Sequence, residues 1–424
     1  MHLHAILTVI IFLTTIVAIV AERFHRAAVV LLGAGLLILL GVITQHEAIA
    51  AIDFNSLGLL SGMMIFAAVI KRTGLFQYLA IKAAKTARGE PWIVMLFSCV
   101  VTAILSSVLE NVATLLLVIP ITFIMAETLR INPLPFLLIQ TFAANIGGVS
   151  TLIGDPPNMI ISSAAHLTFI DFLIHLTPVV LIIGATFLVT FGIFYRRRLV
   201  SLPEHKEQIM RFDERKNITD PRLLRHAVII LLLTIVGFIV HRQLHLEPAT
   251  IALSGAVLLL LFTGIDLDEI FMEGDWSILF FLIGTFIVVD GLRHVGLIDM
   301  MAHGIVALTD GNPLLTTLLI LWGAGLFCIF INNIPFTIAM VPLIQLIGEM
   351  TGIPMNPLWW ALALGAGLGG NGSPVGSAAN LVMISIAKKY GYPLRFGEFA
   401  RFGIPVVIGS LLIASAYLYL RYFM

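Results

Sequence analysis

Charge is what this sequence has least of. Only 11% of its 424 residues are charged, the basic and acidic side chains cancel at 24 each, and mean hydropathy is +1.05. A soluble surface of this size needs more charge, and a soluble core needs fewer than the 59% hydrophobic residues present. Balanced charge gives no field to attract nucleic acid, so none is expected as a partner. The two cysteines, Cys99 and Cys328, lie inside apolar runs, which excludes a disulfide framework and a cysteine-built metal site. There is no GxxxxGK[ST] loop, which argues against ATP-driven pumping by this chain. An enzyme reading is equally thin. Ile153-Gly154-Asp155 approaches the Gly-x-Gly-Asp of intramembrane aspartyl proteases, but position 152 is Leu and no second aspartate has a partner motif. No cofactor is expected beyond bound Na⁺.

What is present is apolar length. Runs of 17 residues or more recur along the chain, enough to cross a hydrocarbon layer of roughly 30 Å as helices. The first, from Leu3 to Val20, lacks a basic n-region and a small-x-small cleavage site, and reads as a first span. The expected class is an all-α polytopic membrane protein in the cell (inner) membrane.

One offset, 222 residues (Asn333 minus Asn111), brings uncommon residues into register. Gly33 meets Gly255, Asp53 meets Asp275, Pro120 meets Pro342, and Gly148, Gly154 and Asn158 meet Gly370, Gly376 and Asn380. Leucine-rich helices match by accident; glycines, prolines and asparagines at a constant offset do not. Duplication of this kind in transporters builds repeats around a shared midplane site. The halves are 1–195 and 226–424, joined by the polar stretch 196–225.

In the first half, spans are predicted near 3–21, 27–45, 56–71, 134–165 and 170–195. The stretch 92–129, interrupted at Leu109-Glu110-Asn111, suits a re-entrant hairpin. Five spans plus a hairpin is an odd number of crossings, so the second half is predicted upside down. The positive-inside rule agrees. With 196–225 cytoplasmic, the basic loops 22–26, 71–88 and 388–401 are cytoplasmic too, while 45–53 and both termini lie outside.

Polar residues at membrane depth form two repeat-related pairs. One pair is the hairpin tips, with Glu110, Asn111 and Thr114 in the first and Asn332, Asn333 and Thr337 in the second. The other is the glycine-rich breaks: Gly148, Ser150, Thr151, Asp155 and Asn158, and Asn371, Ser373, Ser377 and Asn380. Glycine pairs and Pro156-Pro157 cannot sustain a helix, so main-chain groups are freed inside the membrane. Such backbone is tolerated around a water-filled cavity, where helix N-termini attract anions and carbonyl, Asn, Ser and Thr oxygens ligate Na⁺.

The segments NIGGVSTLIGDPPN, ENVAT, NNIPFT and GGNGSPVGSAANL resemble the signatures of the ion transporter superfamily, in the branch of arsenite permeases, NhaD-type sodium–proton antiporters and the melanosomal P-protein. The resemblance covers essentially the whole chain. It implies an inverted-repeat, homodimeric secondary transporter working by an elevator motion. It also implies one Na⁺ site at Asn111 and Ser150 against the first break, and another at Asn333 and Ser373 against the second. Two features depart from relatives. Dicarboxylate carriers of the superfamily carry Ser-Asn-Thr at both tips, where this chain has Glu-Asn-Val and Asn-Asn-Ile, and only the first tip keeps an acid before its Asn.

A carboxyl at membrane depth costs about 2.5–3.5 kcal/mol or more, and marks Glu110 and Asp155 as candidates for proton–cation exchange. Asp155 also fits a structural role as N-cap ahead of Pro156, whereas no local motif accounts for Glu110. Asp290 with Arg293 reads as an interfacial pair, and Trp359-Trp360 as an interfacial belt. The expected function is H⁺- or Na⁺-coupled exchange of a small inorganic ion or solute, with a carboxylate carrier as the alternative.

Overall fold

A computed structural model describes residues 2–21 and 23–424, and every regular element among them is a helix. Glu22, in the predicted first cytoplasmic loop, lies outside the described residues. A helix satisfies all its main-chain hydrogen bonds within one segment, which hydrocarbon demands. Among the described residues nine helices are long and apolar enough to cross a membrane, or ten if Pro156–Ala165 and Phe169–His175, bent by 114°, form one span.

The helix order of the first half recurs in the second. Phe54–Arg72 is matched by Ser277–His294, Pro91–Val108 and Asn111–Thr128 by Pro313–Phe327 and Asn333–Thr351, and Leu134–Gly148 and Pro156–Ala165 by Asn356–Gly369 and Ala378–Lys389. The halves interlock by exchanging partners. Phe54–Arg72 packs on Pro248–Thr263 of the other half, and Ser277–His294 packs on Arg26–Leu39. Both crossings use a glycine for close approach: a Cβ on Gly62 would lie 2.7 Å from the Ala252 carbonyl carbon, and one on Gly284 would lie 2.4 Å from Val30 Cγ1. Both positions obey the 222-residue offset.

Segments predicted as loops contain further helices. Gln45–Ala50 and Leu267–Glu273 occupy 45–53 and 266–275, and Leu75–Thr86 and Leu297–Thr309 follow the third spans. A search for long apolar runs passes these by. Gln45–Ala50 is short and held by a capping box, with Thr44 N donating to the Glu47 carboxylate at 2.7 Å. Leu75–Thr86 is amphipathic, with Lys82 and Lys85 among its apolar residues. The tryptophan pair is also corrected: Trp359 and Trp360 are buried near the start of their helix, with His175 stacked on Trp360 at 5.0 Å.

The polar stretch between the halves is not a free loop. It forms the helix Pro203–Met210 and a 3₁₀ turn, and the next helix, Pro221–Val240, begins before the predicted boundary at 226. Lys206 pairs with Glu90 at 2.7 Å, Lys85 with Glu214 at 2.6 Å, and Thr219 N donates to Thr73 O at 3.1 Å. This docking needs Gly74, whose φ is +75° and whose Cβ would lie 1.7 Å from Asn217 O. Its mate Gly296 has the same φ, with nothing closer than 3.8 Å. Gly296→Ala is therefore expected to cost about 1–2 kcal/mol, the left-handed backbone alone. Gly74→Ala should cost clearly more, and thermal unfolding in mild detergent measures the difference.

Candidate functional site

Each hairpin turns within a few residues, and both turns end in an N-cap. Glu110 caps Asn111–Thr128, its carboxylate accepting from Ala113 N at 3.1 Å; Asn332 caps Asn333–Thr351, its Oδ1 accepting from Ile334 N at 3.1 Å. This corrects the sequence reading: Glu110 does have a local structural motif. Asp155 does not use the one it was given. It stands at the N-cap position of Pro156–Ala165 with extended backbone, yet its side chain caps nothing. Pro156 and Pro157 have no N–H to offer, and Asn158 N is taken by the Asp155 main-chain oxygen at 3.0 Å. The carboxylate instead accepts from Asn333 Nδ2, in the other half, at 3.4 Å.

Each tip is seated against the break of its own half, and the seats are alike. Thr151 Oγ1 donates to Ser107 O at 2.5 Å, and Ser373 Oγ donates to Ile329 O. A Cβ on Gly154 would lie 2.7 Å from Ser106 O; one on Gly376 would lie 2.6 Å from Cys328 O. All four contacts recur at the 222-residue offset. In the first seat, Ser106 Oγ also donates to Asn111 Oδ1, and a Cβ on Gly148 would meet that oxygen at 2.2 Å.

The breaks free fewer acceptors than expected. Asn158 Nδ2 donates to Val149 O at 3.1 Å and Thr151 O at 2.8 Å, and Asn380 Nδ2 donates to Gly370 O and Ser373 O, both at 2.7 Å. Ser150 Oγ donates to Gly147 O at 2.6 Å, and Thr337 Oγ1 to Asn333 O at 2.8 Å. Within the tips and breaks, four buried polar atoms have no hydrogen-bond partner among the described residues: Asn111 Nδ2, Thr114 Oγ1, Asn158 Oδ1 and Asn371 Nδ2.

The two predicted sites are joined into one. Asn145 Nδ2 donates to Asn371 Oδ1 at 2.9 Å and to Asn380 Oδ1 at 3.0 Å, while Ser377 Oγ donates to Asn145 Oδ1 at 3.3 Å. Asn145 is the residue sequence reasoning missed. It opens the NIGG run, but its mate is Gly367, so the offset that exposed the others gave no signal. That glycine packs closely on the first break: a Cβ there would lie 2.2 Å from Val149 Cγ2 and 3.4 Å from Asp155 Oδ2. Asp155 thus sits where the second tip and the helix before the second break meet the first break, only 3% exposed.

Glu110 faces the other way. With Arg26, Lys71 and Asp275 it lines a groove of about 70 Å³, where Arg26 pairs with Asp275 at 3.4 Å. Arg26 also reaches a neighbouring cavity lined by Asn332, the mate of Glu110. For a cation, the tips and breaks present oxygen donors only, which suits a hard ion such as Na⁺, and Asn158 Oδ1 is a buried acceptor with no donor. No cluster of three or more His, Cys, Asp or Glu able to hold a metal occurs among the described residues.

A family model described as citrate transporter matches residues 16–365. The chain is a member of the citrate transporter family. This family belongs to the ArsB/NhaD-type ion transporter superfamily that the tip and break motifs resemble. The citrate transporter family chain is 39% identical over 425 residues to an uncharacterized transporter of Mycobacterium bovis, and 38% identical over 424 residues to a 46 kDa membrane protein of Mycobacterium leprae, with 99% of both chains covered each time. It is 30% identical to the human P protein, over 94% of this chain and 58% of that one. It is a multi-pass membrane transporter and not an enzyme.

Proposed function

We propose that this transporter exchanges H⁺ or Na⁺ for a small inorganic ion or solute at the junction of the tips and breaks. The observation that carries this reading is Asp155. It is a carboxyl 3% exposed, whose one side-chain partner among the described residues is an amide from the opposite half. A charge in that place is stabilised by a bound cation, and its neutral form by the departure of that cation, so proton and cation compete for one site. Asn111, Ser150 and Asn158 would hold Na⁺ on the first side, and Asn333 and Ser373 on the second, with oxygen ligands throughout. Glu110 is the outer carboxyl, through which protons reach the junction from the groove.

The repeats are read as inverted, with 1–195 and 226–424 as the two units, the linker 196–225 cytoplasmic and the termini outside. The hairpin arms run from 15 to 19 residues and span about 22–29 Å, yet two arms contribute an even number of crossings whether they traverse fully or turn back at the tip. The inversion therefore rests on the five remaining spans. The matched seats support a transport body made of tips and breaks, moving in an elevator motion within a homodimer.

Dissipation of a pH gradient in proteoliposomes tests this reading, with Na⁺, Li⁺, K⁺, arsenite, silicate and citrate added in turn. Na⁺ or an inorganic solute is expected to collapse the gradient. Glu110→Gln, which keeps an oxygen for Ala113 N, is expected to stay folded and to slow that collapse about tenfold. A second reading, carboxylate transport, is favoured by Arg26 and Lys71 on the wall beside Glu110, since guanidinium and ammonium groups recognise carboxylates. A response to citrate alone, with Glu110→Gln at normal rate, selects it and removes the proton role of Glu110.

A further inference from the structure

A second cavity, which no part of the reading above uses, repeats the Glu110 groove. It has a volume of about 260 Å³ and is bounded by Asp53, Ser163, Asp290, Arg293 and Gln345. It adjoins a cleft of about 420 Å³ along Glu47 and His294. At the 222-residue offset Lys71 of the groove becomes Arg293 of the cavity, Asp275 becomes Asp53, Ala68 becomes Asp290, and Leu116 becomes Ile338. The two spaces are the same place in the two halves.

Each is bounded by helices that begin at the junction. The groove runs along Asn111–Thr128, whose first residue is the tip asparagine, and has Glu110 in its wall. The second cavity has Ile160 and Ser163 of Pro156–Ala165 on one side and Ile338 and Gln345 of Asn333–Thr351 on the other. Those two helices begin next to Asp155 and at Asn333, the pair that meets at 3.4 Å. The acids of the groove have counterparts although their residues differ, while its Arg26 has none, since the offset places Pro248 there. The second tip has Asn332 where the first has Glu110, and the missing acid is returned one wall over by Asp290, where the groove has Ala68. Asp290 and Arg293 form no ion pair within 4.0 Å, so they line the space as separate groups and not as the interfacial pair their spacing predicts.

We infer that the Asp53–Asp290–Arg293 cavity is the second mouth of the transport route, opening on the opposite membrane face from the Glu110 groove and receiving a small hydrated cation at Asp290, while Asp53 is held as the N-cap of Phe54–Arg72. The inference rests on the inverted reading of the repeats. It goes further by assigning Asp290 and Asp53 to the pathway, with Glu47, Arg293 and His294 as the other ionisable side chains at that mouth.

Site-directed labelling separates the two claims. Cys99 and Cys328 are buried and stay in place, since a membrane-impermeant maleimide cannot reach them. Gln45→Cys and Leu267→Cys, both exposed and related by the offset, report whether the halves are inverted. Ser163→Cys reports the second mouth and Met64→Cys the groove, with Ala113→Cys as an alternative groove position if Met64→Cys does not fold. In sealed vesicles of known orientation, Ser163→Cys is expected to label from the face that labels Gln45→Cys. Met64→Cys is expected to label from the face that labels Leu267→Cys. If Gln45→Cys and Leu267→Cys label from opposite faces but Ser163→Cys labels from the groove's face, or from neither, the second mouth is overturned while the inversion survives. If Gln45→Cys and Leu267→Cys label from one face, the inversion itself has failed, and the second mouth with it.

Discussion

Asp155→Asn is expected to stop transport, by a factor of 100 or more, in a protein that folds and reconstitutes normally. The two side chains have the same shape, and the Asn oxygen accepts from Asn333 Nδ2 as the carboxylate does. No main-chain donor depends on the charge, because Pro156 and Pro157 have none and Asn158 N is held by the main chain. Stability therefore stays level or rises, since a buried ionisable group has been removed. What is lost is the ability to change charge when an ion leaves. Flux in proteoliposomes and thermal unfolding of the same preparation check both halves of the statement. Normal flux would leave Asp155 a packing residue and the exchange site elsewhere.

The mate of Asp155 provides the contrast. Ser377 holds only a 3.3 Å bond to Asn145 and one at 3.4 Å from Ala379 N. Ser377→Ala should cost about 1 kcal/mol of stability, the net value of an ordinary hydrogen bond, and leave exchange in place. The duplication makes two seats of one shape, but gives the charge to only one of them.

The all-helical membrane class was legible in the sequence because it rests on apolar length and on main-chain hydrogen bonding, which any hydrocarbon-embedded chain must satisfy. The tips and breaks were legible because Gly, Pro and Asn are rare in spans and recur at one offset. What could not be read is which side chain turns where. Glu110 caps its helix and Asp155 does not, because a cap is decided by available N–H groups, and Pro157 removes the donor that Asp155 would have needed. Asn145 stayed hidden for a different reason: its partners lie more than 220 residues away and its repeat mate is glycine. Short amphipathic helices such as Leu75–Thr86 escaped because they lie outside the apolar runs that mark spans.

Gly154→Ala and Gly376→Ala form the second test, and the expected loss is structural. A Cβ on Gly154 would lie 2.5 Å from Gly148 O and 2.7 Å from Ser106 O; one on Gly376 would lie 2.6 Å from Cys328 O and 2.7 Å from Gly370 O. All four obstacles are main-chain oxygens, so no side chain can rotate away, and the break must move off its tip. Overpacking of this kind costs about 1–3 kcal/mol and sometimes more, and here each substitution should sit at or above the top of that range. Gly184→Ala is the control, because it lies mid-helix with nothing within 4 Å and should be neutral or stabilising by up to about 1 kcal/mol. Equal losses at 154 and 376 are expected if the seats are equivalent, whichever half carries the charge. A large loss at one with none at the other would mean that the shared offset preserves the residues but not the fit. The double substitution should cost less than the sum, since Asn145 ties the two breaks into one polar cluster and the first displacement already loosens the second.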